Sequence, residues 1–389
     1  MDESATLKMA QLARNLKAEG HQVVSLTLGE PDFDTPQFIK DSAAAALNQG
    51  FTKYTPVAGL QELRQAICDK LKRDNQLDYK PENIVVSNGA KQSFANICLS
   101  VLDKGDEVVV LAPYWVSYKE IIELAEGTPV FVSAGIEQEF KPTVAEIRAA
   151  ITDKTRILVF SSPCNPTGAV FSHQELQAMA EMLAEFPDLL VISDEIYEYI
   201  NFTPQGHVSI AAFAQIKPQV AIINGFSKGF SMTGWRLGYI AAPKWLADAC
   251  AKIQGQFTSG ASSFGQKAGV TALETELTEA KAMTAEFLRR RDLLLSLLAN
   301  VEGLKLNRPD GAFYLFPDIS HFLGKTAPNG QKINTAEELC LFLLYDAKIA
   351  LVSGEGFGAP NCLRISYAAS EADLRLAAER LKSALTSLR

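Results

Sequence analysis

Residues 156–197 read RILVFSSPCNPTGAVFSHQELQAMAEMLAEFPDLLVISDEIY. The runs at 156–160 and 189–193 are almost wholly apolar, the pattern of strands covered on both faces. Between them Leu176, Met179, Met182 and Leu183 recur at helical spacing on a polar background. Strand, helix and strand in that order make one unit of an open, mostly parallel α/β sheet. Five more runs extend it outward, at 84–87, 107–111, 129–132, 219–224 and 237–241. Leu60, Leu63, Ile67 and Leu71 mark another helix. The C-terminal third has a different character. A long helical stretch covers 273–298, short strand patterns follow at 313–316, 349–352 and 363–367, and an amphipathic helix runs from 371 to 385. That third reads as a smaller α+β domain, with the N-terminal segment up to Gly29 packed on it.

Composition excludes several classes of function. The 389 residues are 47% hydrophobic and 21% charged, as in soluble globular chains, with a net charge of −8. An acidic balance gives no electrostatic reason to expect nucleic acid or an anionic membrane as a partner. The longest apolar run, 339–345, falls far short of the roughly 18 residues a membrane span needs. The N-terminus lacks the apolar core of a signal peptide, so a cytoplasmic protein is expected. Cys68, Cys98, Cys164, Cys250, Cys340 and Cys362 form no CxxC pair and read as buried free thiols. His21, His173, His207 and His321 have no HxxxH spacing, and no metal site is expected. The sequon at Asn201 is read as coincidental without a secretory signal.

Open α/β sheets bind ligands beyond the carboxyl ends of their strands. Five such exits carry the unusual polar residues. They are Asn88-Gly89-Ala90-Lys91, Ala112-Pro113-Tyr114-Trp115, the loop 161–168, Asp194-Glu195-Ile196-Tyr197 and Gly225-Phe226-Ser227-Lys228. Gly89-Ala90 before a helix suits a phosphate cradle, since a small-residue turn frees N–H groups at the helix start. No Walker loop occurs, and the glycines at 354, 356 and 358 miss the dinucleotide spacing. Lys228 directly after a strand could be a nucleophile if burial lowered its pKa, or a plain loop lysine. Arg236 could grip a phosphate. Asp194, after an apolar run, needs a partner, and a protonated heterocyclic nitrogen would be one.

The motifs SSPCNPTG, SDEIYE, FSKGFSMTGWRLGY, GAFY and LRISYA resemble those of class I aminotransferases, which are pyridoxal phosphate (PLP) enzymes. LTLGEPDFDTP, KYTPVAGL and APYWVSY are most similar to the bacterial aspartate aminotransferase subgroup. The resemblance covers nearly the whole chain. It implies the PLP-dependent transferase fold type I, an α/β fold. A mostly parallel seven-stranded sheet would lie in a large domain, residues 32–285, beside a smaller α+β domain of residues 1–31 and 286–389. By this resemblance Lys228 carries PLP covalently, and once freed by substrate it shuttles the proton between Cα and the cofactor. Asp194 pairs with the ring nitrogen. Asn165 and Tyr197 bond the ring oxygen, and Trp115 stacks on the ring face. The phosphate sits at Gly89, Ala90 and Lys91 with Ser227 and Arg236, and Tyr54 reaches the phosphate of a neighbouring subunit in a homodimer. Phe33 and Phe313 are read as pocket wall and packing, and Pro166 as a candidate cis proline.

For the substrate, the resemblance implies that Arg364 clamps the α-carboxylate while Gly29 lets the backbone approach it. Trp115 and Asn165 also line the substrate site. Lys91 and Thr27 fit the positions that read the distal carboxylate of aspartate or glutamate. The expected reaction is ping-pong transfer from L-aspartate to 2-oxoglutarate, with closure of the small domain over the substrate. Prephenate, aromatic or alanine transamination, a β-lyase and a decarboxylase are alternatives on the same fold. A ligand sensor of the DNA-binding type is disfavoured by the acidic charge and by the short stretch before the first motif. The family's N-terminal arm is expected to be short, because Met1 to Thr6 lie close to the first helix.

Overall fold

In a computed structural model, which describes residues 5–389, the seven apolar runs form one sheet. Its strands are β1 (Ile84–Ser87), β2 (Glu107–Ala112), β3 (Thr128–Ser133), β4 (Thr155–Ser161), β5 (Leu190–Asp194), β6 (Val220–Gly225) and β7 (Gly238–Ala241). Their spatial order is β1-β7-β6-β5-β4-β2-β3. β3, β2, β4, β5 and β6 pair in parallel, while β7 runs antiparallel to both β1 and β6. The period of two along each strand divides the core into two layers. Ile157 and Val159 of β4 enter one cluster, and Leu158 and Phe160 enter the other. Val108 and Val110 of β2 face one side, with Val109 and Leu111 on the opposite side.

Helices close both faces. Gln61–Asn75 and His173–Leu183 cover one layer, whereas Ala90–Val101 and Lys244–Phe257 cover the other. The helix inside the opening stretch starts at a capping box. Ser172 Oγ accepts from the Glu175 N–H, and Glu175 Oε2 accepts from the Ser172 N–H at 2.7 Å. That start ends the 161–168 loop and leaves it at the sheet's carboxyl edge. Asn165-Pro166 is cis, as expected by resemblance, and so are Ala112-Pro113 and Ser162-Pro163.

The remaining chain builds a second core around two small sheets. Val24–Ser25 pairs in parallel with Ile349–Ala350, so the N-terminal segment does pack on the C-terminal third. Val352–Ser353, Leu363–Ser366 and Tyr314–Leu315 make an antiparallel sheet. Two expectations need correction. The single helix over 273–298 is two helices, Ser263–Glu274 and Thr278–Leu298. Leu273 belongs to the core of the large sheet, but Phe287 and Leu294 belong to the second core, so the chain turns between them. The strand over 349–352 splits at Leu351, because its two halves pair with different sheets. The expected arm at Met1 to Ser4 lies outside the described residues, and the helix Ala5–Ala18 follows it.

Gly238 ties this scaffold to the site. A Cβ there would lie 2.5 Å from the Ala90 nitrogen and 2.7 Å from the Gly89 carbonyl carbon, both backbone. Gly238→Ala is expected to destabilise the protein by about 1–3 kcal/mol through overpacking. A lower urea midpoint would report it. Gly234→Ala, with nothing within 4 Å of its Cβ, should leave the midpoint unchanged.

Candidate active site

All five polar strand exits open into one cleft of about 300 Å³. Its wall includes Ala90 and Lys91 after β1, Trp115 after β2, Asn165 after β4, Asp194 at the end of β5 and Tyr197 after it, and Ser227 and Lys228 after β6. Gly29, Arg236 and Arg364 complete it. Thr6 and Leu7 of the first helix also border it. Sheet register explains part of the convergence. Ser161 is paired with Asp194, and Asp194 with Ile223, so these exits lie side by side.

Lys228 follows β6 in a turn, and its Nζ donates to the Gly29 carbonyl. Burial pushes its pKa down to about 8. Glu30 and Asp194 pull it up, while Arg364 and Arg236 lower it further. Asp194 ends β5. Its Oδ2 accepts from the Tyr118 hydroxyl at 2.6 Å, and Oδ1 accepts from the Ile196 N–H at 3.2 Å. Burial raises its pKa to about 6 against those two bonds. Among the described residues no cation lies within ion-pair distance of this buried carboxylate. Tyr197 shares a 2.7 Å hydrogen bond with the Tyr314 hydroxyl. A Cβ on Gly29 would stand 2.4 Å from that Tyr314 oxygen, so only glycine fits there.

Arg364 enters from the strand Leu363–Ser366 of the second core and is 2% exposed. Nη1 donates to Asn165 Oδ1 at 3.0 Å, and Nη2 to the Thr27 carbonyl and, at 3.4 Å, to Thr6 Oγ1. The guanidinium lies 4.7 Å from the Tyr314 ring and 4.8 Å from Phe357. Its Nε is buried without a partner, and no described carboxylate pairs with it. A buried cation in that state fits an incoming carboxylate.

At the far end of the cleft, Gly89 (φ +81°) precedes the helix Ala90–Val101, which has no side-chain cap. A Cβ at Gly89 would lie 2.4 Å from Arg236 Nη2. Arg236 Nη1 donates to the Thr233 carbonyl at 3.0 Å. Lys91 sits over the Trp115 ring at 5.2 Å, and burial together with Arg236 lowers its pKa. A helix N-terminus, a guanidinium, an ammonium and the Ser227 hydroxyl make this end suited to an anion.

Three expected residues lie elsewhere. Tyr54 is 97% exposed and outside the cleft. Thr27 is fully buried, its hydroxyl 3.0 Å from Ser25 Oγ, and it meets Arg364 through its carbonyl. Phe33 packs edge-on against Phe287 under Arg290 rather than on the cleft wall. Sequence reasoning missed Tyr118 and Tyr314. Tyr118 lies inside the quoted run APYWVSY and Tyr314 inside GAFY, but nothing local points to their partners, 76 and 117 residues away.

Comparison with known proteins agrees with this geometry. The family model for aminotransferase class I and II matches residues 21–381. A Petunia hybrida bifunctional aspartate aminotransferase and glutamate/aspartate-prephenate aminotransferase is 47% identical over 99% of this chain and 81% of its own. The crystal structure of the aspartate aminotransferase from Rhizobium meliloti superposes with a TM-score of 0.95 at 39% identity, covering 100% of both chains. That of the Thermus thermophilus aspartate aminotransferase with maleate gives 0.91 at 41% identity, over 99% of this chain and 97% of the other. With a fold, a cleft and a full-length match that all agree, the chain belongs to the class I and II aminotransferase family, whose cofactor is PLP.

Proposed function

We propose that this chain moves the amino group of L-aspartate to 2-oxoglutarate in two half-reactions, using PLP held in the cleft. The observation that carries the reading is Arg364, a buried guanidinium with an unpartnered Nε in the same cleft as Lys228 and Asp194. Lys91 supplies a second cation at the cleft, which a dicarboxylate needs. The relatives named for aspartate, and the Thermus structure with maleate, support a dicarboxylic substrate. Prephenate, also a dicarboxylate, is the second reading, favoured by the Petunia relative's name.

The residues present fit PLP. Asp194 is a buried carboxylate suited to a protonated ring nitrogen, and the Gly89 turn with Arg236 is a cradle that a Cβ would fill. PLP supplies an aldehyde that receives the amine and a ring that accepts electrons from the Cα–H bond. The backbone at the Gly89-Ala90-Lys91 helix start would hold the phosphate together with Ser227 and Arg236. Trp115 covers the ring, Asn165 and Tyr197 orient it, and Asp194 keeps its nitrogen charged. Arg364 fixes the substrate α-carboxylate beside Gly29. Lys228 Nζ then takes the proton from the substrate Cα, a role suited to an amine whose pKa burial has lowered to about 8. Among the described residues, 5–31 and 286–389 form the body that closes on residues 32–285 and excludes water.

A homodimer accompanies this reading. Tyr54 and Phe257, 97% and 69% exposed, flank touching segments at Thr55 and Gly260, and Tyr54 serves the partner's phosphate site. A cytoplasmic location is supported by six buried cysteines, all free thiols.

The direct test is spectroscopic and kinetic. Aspartate alone should convert the bound cofactor to its amine form, and 2-oxoglutarate should restore it. No conversion would refute the reading. Arg364→Ala should lower kcat/KM by about 100-fold or more for every amino acid, the cost of removing one partner of a buried charge pair. Lys91→Ala should cost about 10- to 100-fold for aspartate and little for alanine. Equal losses would assign Lys91 to the phosphate or the fold. In the cofactor-free protein, reductive methylation of Lys228 should rise with pH through a midpoint at about 8, because only the neutral amine reacts. Peptide mass mapping against surface lysines reads the difference.

A further inference from the structure

Asp194 is satisfied from behind. Its Oδ2 takes a 2.6 Å hydrogen bond from Tyr118, which is 1% exposed and stands behind the cleft wall. Tyr118 occupies the first turn of the helix Ser117–Leu124, one turn after Trp115. Its ring is wedged between Phe94, with centroids 4.8 Å apart, and Trp115, at 5.5 Å and 89°. A phenylalanine would fill the same space, so the hydroxyl is the part that packing leaves unexplained. Burial, and then Asp194 itself, hold the phenol pKa well above its usual value, so it remains a donor.

We propose that Tyr118 is a positioning residue whose hydrogen bond keeps the negative charge on Asp194, so that the single proton between Asp194 and the cofactor's ring nitrogen resides on the nitrogen. The inference rests on the function proposed above. A carboxylate and a pyridine share one proton, and a donor to the carboxylate lowers its basicity. Without the phenol, the proton transfers from nitrogen to the Asp194 oxygen. The pair then becomes neutral on both sides, and the ring is a poorer electron acceptor. No electron is exchanged and no other proton moves. Burial already raises the carboxyl, and the Tyr118 bond acts against that rise.

The test uses holoenzyme loaded with PLP carrying ¹⁵N at the ring nitrogen. Wild-type protein should show a proton resonance split by that nitrogen. In Tyr118→Phe the splitting should collapse, and kcat should fall about tenfold or more, the worth of one hydrogen bond to a charged group, with KM for aspartate little changed. Site-specific 3-fluorotyrosine at 118 is a stronger donor of nearly the same shape. It should enlarge the splitting relative to wild type, which a purely packing role would not do. Unchanged splitting in both variants overturns the proposal, even if Tyr118→Phe lowers the melting temperature. If Tyr118→Phe does not fold or load, the fluorotyrosine protein decides alone. A wild-type protein that lacks the nitrogen-bound proton, or does not transaminate aspartate, refutes the proposed function instead.

Discussion

Asp194 is a carboxyl buried inside the protein, and its surroundings act on its charge in opposite directions. Burial alone would drive the group neutral. Tyr118 and the Ile196 N–H oppose that drive. The turn that presents Asp194 is itself pinned by buried polar pairs on its other side. Glu195 accepts from Ser193 at 2.8 Å and Ser209 at 2.6 Å, and lies 3.0 Å from His207 Nε2. Glu198 forms a buried ion pair with Lys70 and accepts from Asn75 at 3.2 Å. Asp194 and Tyr197 thus face the cleft while Glu195 and Glu198 face inward. Losing an inward charge would leave its partner buried and unpaired, a costly state that resists movement of the turn.

The second constraint is Arg364, which joins the two cores. It comes from the small antiparallel sheet, bonds Asn165 in the loop after β4, and holds the carbonyl of Thr27 in the N-terminal segment. One guanidinium thereby senses three chain segments, and its remaining Nε is turned to no protein acceptor. A carboxylate ligand would complete that set. These bonds tie the small antiparallel sheet to the loop after β4 and to the N-terminal segment.

Much of this was legible in the chain. All seven strands of the large sheet were found to within a residue or so at each end, since strands buried on both faces are written as continuous apolar runs. The polar exits were legible for the same reason, being the breaks in those runs. Tyr118 was not, because in WVSYKEII it reads as one more apolar position on a helix, and its acceptor is 76 residues away. Thr27 was assigned by motif position, whereas its burial beside Ser25 and its carbonyl on Arg364 are set by what packs on that irregular segment. The helix break after Glu274 was hidden because both halves are amphipathic, and only the existence of two separate cores forces the turn.

The amino-acid order by itself determined where strands and helices form and which chemical groups stand at the sheet's carboxyl edge, because both follow from spacing over a few residues. Tertiary structure alone decided the state of those groups. The amine of Lys228 is weakened, the carboxyl of Asp194 is pushed toward neutrality yet braced by a phenol, and Arg364 is buried with its Nε unpartnered. Each of these depends on desolvation and on partners far away in the chain, and local spacing carries no record of either.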